Sequence, residues 1–282
     1  MNLTKEQKES FNENGFLVIE NFFSDIEIKE FQEALREIIR SYLIKASNNE
    51  KNVVPEEFFG NEFNEGIQKL ESINHQYVAE VYDTIFQTPE FLRLISKRET
   101  TSYVNQLLNK SNSNPLYTYT CRCRIDPPKD NRRTYGWHQE IFYSIPNSEF
   151  LQTWAPLVSD TTKEMGTIEV CVGSHKEGIP PQSWNEEKNK AIQIIVEEEF
   201  VNKYPKRVIM EMKLGQLLIF NSKLFHRSGN NTSNKVRYSL VGMYHNVTNE
   251  HFSAPNLVFK YREKTPQEFY NETFYKNNSK LI

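Results

Sequence analysis

The fold turns on Trp137-His138-Gln139-Glu140, read together with a distant second histidine in Leu224-Phe225-His226-Arg227. In an extended segment side-chain direction repeats every two residues, so His138 and Glu140 point to the same side. His226 follows His138 by 88 residues, a gap that only a fold bringing distant strands together can close. Two imidazole nitrogens and one carboxylate oxygen on one face of a metal form a two-histidine, one-carboxylate facial triad. That donor set holds non-haem Fe(II) and leaves the opposite face open. His138, Glu140 and His226 are therefore the candidate metal ligands and catalytic residues.

Downstream of His226, Val236-Arg237-Tyr238-Ser239-Leu240-Val241-Gly242-Met243-Tyr244 alternates as a strand does. Arg237 and Ser239 share a face, and Ser228-Gly229-Asn230-Asn231 supplies the turn before them. A guanidinium inside a barrel must be paired, because an unpaired buried charge is very costly. Its fork geometry suits a carboxylate, and a neighbouring hydroxyl adds a donor. The partner is either a protein carboxylate or the distal carboxylate of a dicarboxylic cosubstrate such as 2-oxoglutarate.

Five segments, in order, resemble the phytanoyl-CoA dioxygenase family of Fe(II)/2-oxoglutarate oxygenases. Phe11-Asn12-Glu13-Asn14-Gly15-Phe16-Leu17-Val18-Ile19-Glu20-Asn21-Phe22-Phe23-Ser24 is similar to the family's opening helix, glycine stop and first strand. Trp137 to Glu140 is similar to its His-x-Asp/Glu motif, with glutamate where aspartate is commoner. Gly166 to Lys176 is similar to the next strand and its Gly-Ser-His turn, Gly215 to His226 to the strand and loop carrying the distal histidine, and Arg237-Tyr238-Ser239 to the cosubstrate motif.

The resemblance implies a jelly-roll enzyme hydroxylating a small molecule with Fe(II), O2 and 2-oxoglutarate, releasing succinate and CO2. Arg237 and Ser239 would hold the far carboxylate of 2-oxoglutarate, and Trp154 resembles a tryptophan lining the family's pocket, a core position being the alternative. Related halogenases carry a small residue in place of the carboxylate, so Glu140 favours hydroxylation; desaturation and ring closure stay open. Two other classes compete: a cupin-like metal enzyme that does not use 2-oxoglutarate, and a barrel that binds a ligand without catalysis. Arg237 and Ser239 count against the first, and the intact triad against the second. No residue selects the substrate.

Composition fits a soluble enzyme. The 282 residues can bury a sizeable core as one domain. A net charge of −3 and a pI near 6.1 count against nucleic-acid or anionic-membrane partners. Mean hydropathy is −0.67 and the first residues lack an apolar signal core, so the cytoplasm is the expected compartment. Cys121, Cys123 and Cys171 are odd in number and lack a CxxC, so neither disulfide framework nor zinc site is expected. The oligomeric state is not legible.

Along the chain, Thr4-x-x-Gln7 and Ser24-x-x-Glu27 fit the capping box. Ile28, Phe31, Leu35, Ile38, Ile39, Tyr42 and Leu43 then recur with helical spacing. Residues 46–66 read as a surface excursion, and helices are expected near 75–87 and 89–97. Strands are expected at 16–20, 116–126, 150–158, 167–172, 191–196, 207–212, 215–220 and 236–247. The fold class is thus α+β, mainly β: a helical portion over about 1–110 packed on one side of a double-stranded β-helix over about 111–250. On 116–126, Arg122 and Arg124 share a face that lines the barrel or meets water. Lys129, Arg132 and Arg133 are either a solvated basic loop or a device steering anions to the mouth. His175 reads as a turn residue, and His245 shares the Arg237 face.

Overall fold

The computed structural model describes residues 2–50, 54–132, 134–145, 148–185 and 193–254. Strands β1 (Phe16–Ile19), β2 (Leu116–Thr118), β3 (Arg122–Asp126), β4 (Phe150–Pro156), β9 (Leu217–Asn221) and β11 (Arg237–Asn246) form a six-stranded antiparallel sheet. Its order is β1-β9-β4-β11, with β2 and β3 pairing successive parts of β11 on the far side. A smaller sheet, β10 (His226–Ser228), β5 (Ile168–Cys171) and β8 (Arg207–Ile209), faces the first; β6 (Gln182–Asn185) and β7 (Gln193–Val196) make a separate hairpin-like pair. Two facing antiparallel sheets with helices to one side make this the expected jelly-roll architecture.

Strand β11 shows how one sheet serves two layers, since all ten of its residues are buried. Tyr238, Leu240 and Tyr244 join the larger core with the helices, whereas Val241 and Met243 join the cluster between the sheets. Alternation of side chains across a pleat produces this division. The helical layer consists of α1 (Lys5–Asn14), α2 (Asp25–Glu50), α3 (Ile67–Ile73), α4 (His75–Ile85), α5 (Pro89–Ile95) and α6 (Arg98–Leu107); a short α7 (Glu198–Asn202) lies in the β half. Helix α2 buries Ile28, Phe31, Leu35, Ile39, Leu43 and Ala46, the stripe expected from its spacing. Both capping boxes form: Gln7 N donates to Thr4 Oγ1 at 3.2 Å, and Glu27 N to Ser24 Oγ at 3.3 Å. Gly15 closes α1 at φ +84°, where a Cβ would sit 2.5 Å from His175 Nδ1. Only glycine meets both demands.

Four expectations need correction. The 116–126 segment is not one strand: Thr120 adopts φ +56°, separating β2 from β3 and ending any regular alternation through Tyr119 and Cys121. Residues 46–66 are more than a surface excursion. Helix α2 runs on to Glu50, and Glu62 is buried, with its Oε1 accepting from Arg40 Nε at 2.8 Å. Helix α6 was not anticipated, although Thr100, Tyr103, Val104 and Leu107 bury one face at helical spacing. The expected strand at 207–212 stops at Ile209, and residues 191–192 of the 191–196 strand lie outside the described residues.

Candidate metal centre and cosubstrate pocket

His138 stands just outside the regular strands, yet its backbone bridges that of His226: His138 N donates to His226 O at 3.0 Å and His226 N to His138 O at 3.1 Å. This reciprocal bridge closes the 88-residue gap. Gln139 points the other way, fully buried, its Nε2 donating to Gly178 O and Lys223 O at 2.7 Å each and so pinning the motif from behind. Glu140 opens a 3-10 turn (Glu140–Phe142), which swings its longer arm back toward the imidazoles. Its Oε2 lies 3.7 Å from His138 Nε2 and 3.5 Å from His226 Nε2. The three donor atoms lie within 4.8 Å of one another, and all three residues are buried.

The tautomers follow from the second contacts. His138 Nδ1 sits 2.8 Å from Gly136 O and His226 Nδ1 2.9 Å from Leu224 O. A carbonyl only accepts, so each Nδ1 carries the proton and each neutral ring turns its Nε2 lone pair inward. Burial, with His138 beside it, pushes His226 below the ordinary histidine value. An ionised oxygen and two nitrogen lone pairs converging in a dry pocket repel one another unless a cation sits between them. The donor set fits Fe(II).

The cavity over this cluster is walled by Tyr135 and Tyr143, whose rings meet edge-on at 5.7 Å, and by Trp154, Ile168, Val241 and Met243. Trp154 is buried opposite Val241 in register and lines the cavity, so it is a wall of the site. The lumen face of β3 settles the orientation left open for its arginines, because Arg122 and Arg124 both line the cavity.

Arg237 is buried on the lumen face, as its alternation required, but its guanidinium already has a protein partner. Arg237 Nη2 donates to Asp126 Oδ2 at 2.8 Å, and Arg124 Nη2 donates to Asp126 Oδ1 at 2.8 Å. Burial raises the Asp126 carboxyl, but the two arginines hold it far below the usual range. Asp126 went unremarked in the sequence, although its two-residue spacing from Arg124 placed the two on one face. Two buried atoms beside it have no partner among the described residues: Arg237 Nε and Ser239 Oγ. Both can donate, and one carboxylate of a dicarboxylic cosubstrate would satisfy both. The residues present therefore fit 2-oxoglutarate as well as Fe(II).

Other candidates lie elsewhere. Arg132 is tied to Asp130 and Glu71, which favours a structural loop over anion steering; Arg133 lies outside the described residues. His175 sits in its turn against α1, Nε2 3.1 Å from Asn12 O. His245 is buried at the far end of the β11 lumen face, between Ser144 Oγ at 2.8 Å and Ser148 Oγ at 2.7 Å. Cys121, Cys123 and Cys171 are free.

With that geometry in place, the comparisons with known proteins are specific. The phytanoyl-CoA dioxygenase family model matches residues 11–239. The peroxisomal phytanoyl-CoA dioxygenase of Bos taurus is 23% identical over 270 residues, spanning 94% of this chain and 73% of the relative. Among solved structures, the epimerase SnoN in complex with Fe3+, alpha ketoglutarate and nogalamycin RO superposes with a TM-score of 0.58 at 14% identity, over 86% of this chain and 84% of its own. EvdO2 from Micromonospora carbonacea var. aurantiaca complexed with 2-oxoglutarate gives 0.55 at 15% identity, over 87% and 92%. At these identities the structural likenesses speak for the fold.

Proposed function

We propose that this protein, which belongs to the phytanoyl-CoA dioxygenase family, holds Fe(II) through His138, Glu140 and His226 and 2-oxoglutarate through Arg237 and Ser239, with Trp154 as a wall of the pocket. As a member of that family it is an Fe(II)- and 2-oxoglutarate-dependent dioxygenase that hydroxylates a small molecule, itself unidentified, with release of succinate and CO2. The observation that carries the assignment of residues is the convergence of two imidazole lone pairs and one carboxylate oxygen beside two orphaned buried donors.

Iron and 2-oxoglutarate supply the oxidising chemistry, reducing O2 with decarboxylation of the cosubstrate. The chain's own residues supply placement. The Gly136 and Leu224 carbonyls fix both imidazoles in the ligating tautomer. Glu140 contributes a negative oxygen that offsets part of the metal's charge. Arg237 and Ser239 set the cosubstrate's far end, and Asp126 stops the guanidinium from rotating away. Trp154, Val241 and Met243 give the cavity an apolar wall.

The test is anaerobic loading of the purified chain with Fe(II), then exposure to O2 and 2-oxoglutarate with succinate measured. Succinate formation that needs both iron and an intact triad is expected. Turnover without iron defeats the reading.

We further propose that residues 1–282 act as one dioxygenase domain, because α2 to α6 bury their apolar faces against the same sheet that carries Arg237. Limited proteolysis releasing an active fragment without the helical portion would contradict this. The cytoplasm remains the proposed compartment, supported by three free cysteines. No described helix is long and apolar enough to cross a membrane. The bovine relative is named as peroxisomal, so localisation of a tagged full chain decides between the two.

A further inference from the structure

Among the described residues, four arginines line the cavity: Arg122, Arg124, Arg227 and Arg237. Three have carboxylate partners. Arg124 and Arg237 share Asp126, and Arg227 Nε donates to Glu169 Oε2 at 2.7 Å. Arg122 differs, since its Nε donates to the Thr120 carbonyl at 3.2 Å and no carboxylate pairs with it among the described residues. Its guanidinium ends are left for whatever occupies the cavity. Beside it on the same face, Gln152 is 4% exposed, lines the cavity, and has a buried Oε1 without a partner.

Charge bookkeeping points the same way. Four arginines stand against Asp126, Glu140 and Glu169, leaving one positive charge. A divalent iron and a doubly charged 2-oxoglutarate cancel each other, so that one charge persists with both bound. Position separates it from the cosubstrate end. Arg122 pairs in register with Val241, and Asp126 with Arg237, four residues away along β11. At about 3.3 Å per residue the two rungs are roughly 13 Å apart. A guanidinium left unmatched in a partly dry pocket is costly unless an anion meets it.

We propose that Arg122 is the substrate-selecting residue of this site, and that it receives an anionic group, carboxylate or phosphate, on a substrate whose apolar body lies against Trp154, Val241 and Met243. Gln152 completes the recognition by accepting one hydrogen bond from the substrate. This rests on the dioxygenase reading above.

The test uses the full chain loaded anaerobically with Fe(II) and saturated with 2-oxoglutarate. Calorimetric binding is measured for three probes of equal chain length: octanoate, octyl phosphate and the neutral methyl octanoate. Wild type should bind at least one anion about ten- to a hundredfold more tightly than the ester, the range of a charge-assisted hydrogen bond. The stronger of octanoate and octyl phosphate identifies the anion. Arg122→Gln should erase that preference, and Arg122→Lys should keep part of it, which separates lost charge from lost fold. Equal binding of anions and ester by wild type, or a preference surviving in Arg122→Gln, overturns the proposal. So does loss of 2-oxoglutarate binding in Arg122→Gln, which would assign Arg122 to the cosubstrate. Failure of wild type to bind 2-oxoglutarate at all is a different result and sinks the dioxygenase reading instead.

Discussion

Asp126 and Arg237 face each other across β3 and β11, in register and 2.8 Å apart through Oδ2 and Nη2, although 111 residues separate them in the chain. The same carboxylate also holds Arg124. Arg237 is thus clamped in place by a protein carboxylate, with its Nε still without a partner among the described residues. Removing one partner of a buried ion pair leaves an uncompensated charge, at a cost of about 3–5 kcal/mol. Asp126→Asn should therefore destabilise the protein by about that much in denaturant unfolding. Wild-type stability in this variant would mean that the pair contributes nothing to the fold.

His138→Ala or His226→Ala should abolish iron binding and turnover while leaving the fold intact, because the sheets around them are packed by apolar side chains. Iron titration monitored by absorbance, beside a thermal melt, reads both effects. Retention of near wild-type iron affinity by either variant refutes its role as a ligand.

Arg237→Ala should leave iron affinity nearly unchanged and weaken 2-oxoglutarate by about 2–5 kcal/mol, roughly thirty- to several-thousand-fold. Ser239→Ala should cost about 1 kcal/mol, and more if its bond is to the charged carboxylate. Both are measured as 2-oxoglutarate affinity of the iron-loaded protein. Unchanged affinity in Arg237→Ala would move the cosubstrate to other donors, Arg122 or Arg124.

Glu140→Ala should collapse hydroxylation and weaken iron binding without abolishing it, since two imidazoles remain. Glu140→Asp should keep partial activity, because the oxygen ligand survives on a shorter arm. Coupled and uncoupled 2-oxoglutarate decarboxylation distinguishes these cases. Full hydroxylation by Glu140→Ala would remove Glu140 from the ligand set.

His245 gives the stability a pH dependence. Burial lowers its value from 6.5 to about 4 in the folded protein. Between those values the unfolded chain binds more protons than the folded one, so stability rises with pH across the window. The contribution is fully present above about pH 6.5 and is lost as pH falls toward 4, by up to about 3 kcal/mol. Urea midpoints from pH 7 to 4 should decline less steeply in His245→Gln. Parallel slopes in the two proteins would show that His245 does not titrate in this way.

Much of the site was legible because its signals are local. The His-x-Glu spacing, the helical stripe of α2 and the alternation of β11 each follow from the direction in which neighbouring side chains point. Other features carry a local signal too: Thr100, Tyr103, Val104 and Leu107 spell out α6, and Arg124 with Asp126 marks a charged pair on one face.

By itself the sequence pointed to the His138, Glu140 and His226 cluster, to a mainly helical part followed by a mainly β part, and to the face on which Arg237 lies. Only the tertiary structure decided that Asp126 occupies Arg237, that Thr120 splits the 116–126 segment, that Glu140 reaches the histidines from a 3-10 turn, and that Arg122 alone of the cavity arginines lacks a carboxylate partner among the described residues. The physical reason is that a period of two residues fixes which face a side chain takes but not which strand lies beside it. The Asp126–Arg237 pair is set by the register of β3 against β11, and the meeting of Glu140 with both histidines by the bridge between His138 and His226, contacts made across roughly a hundred residues of chain.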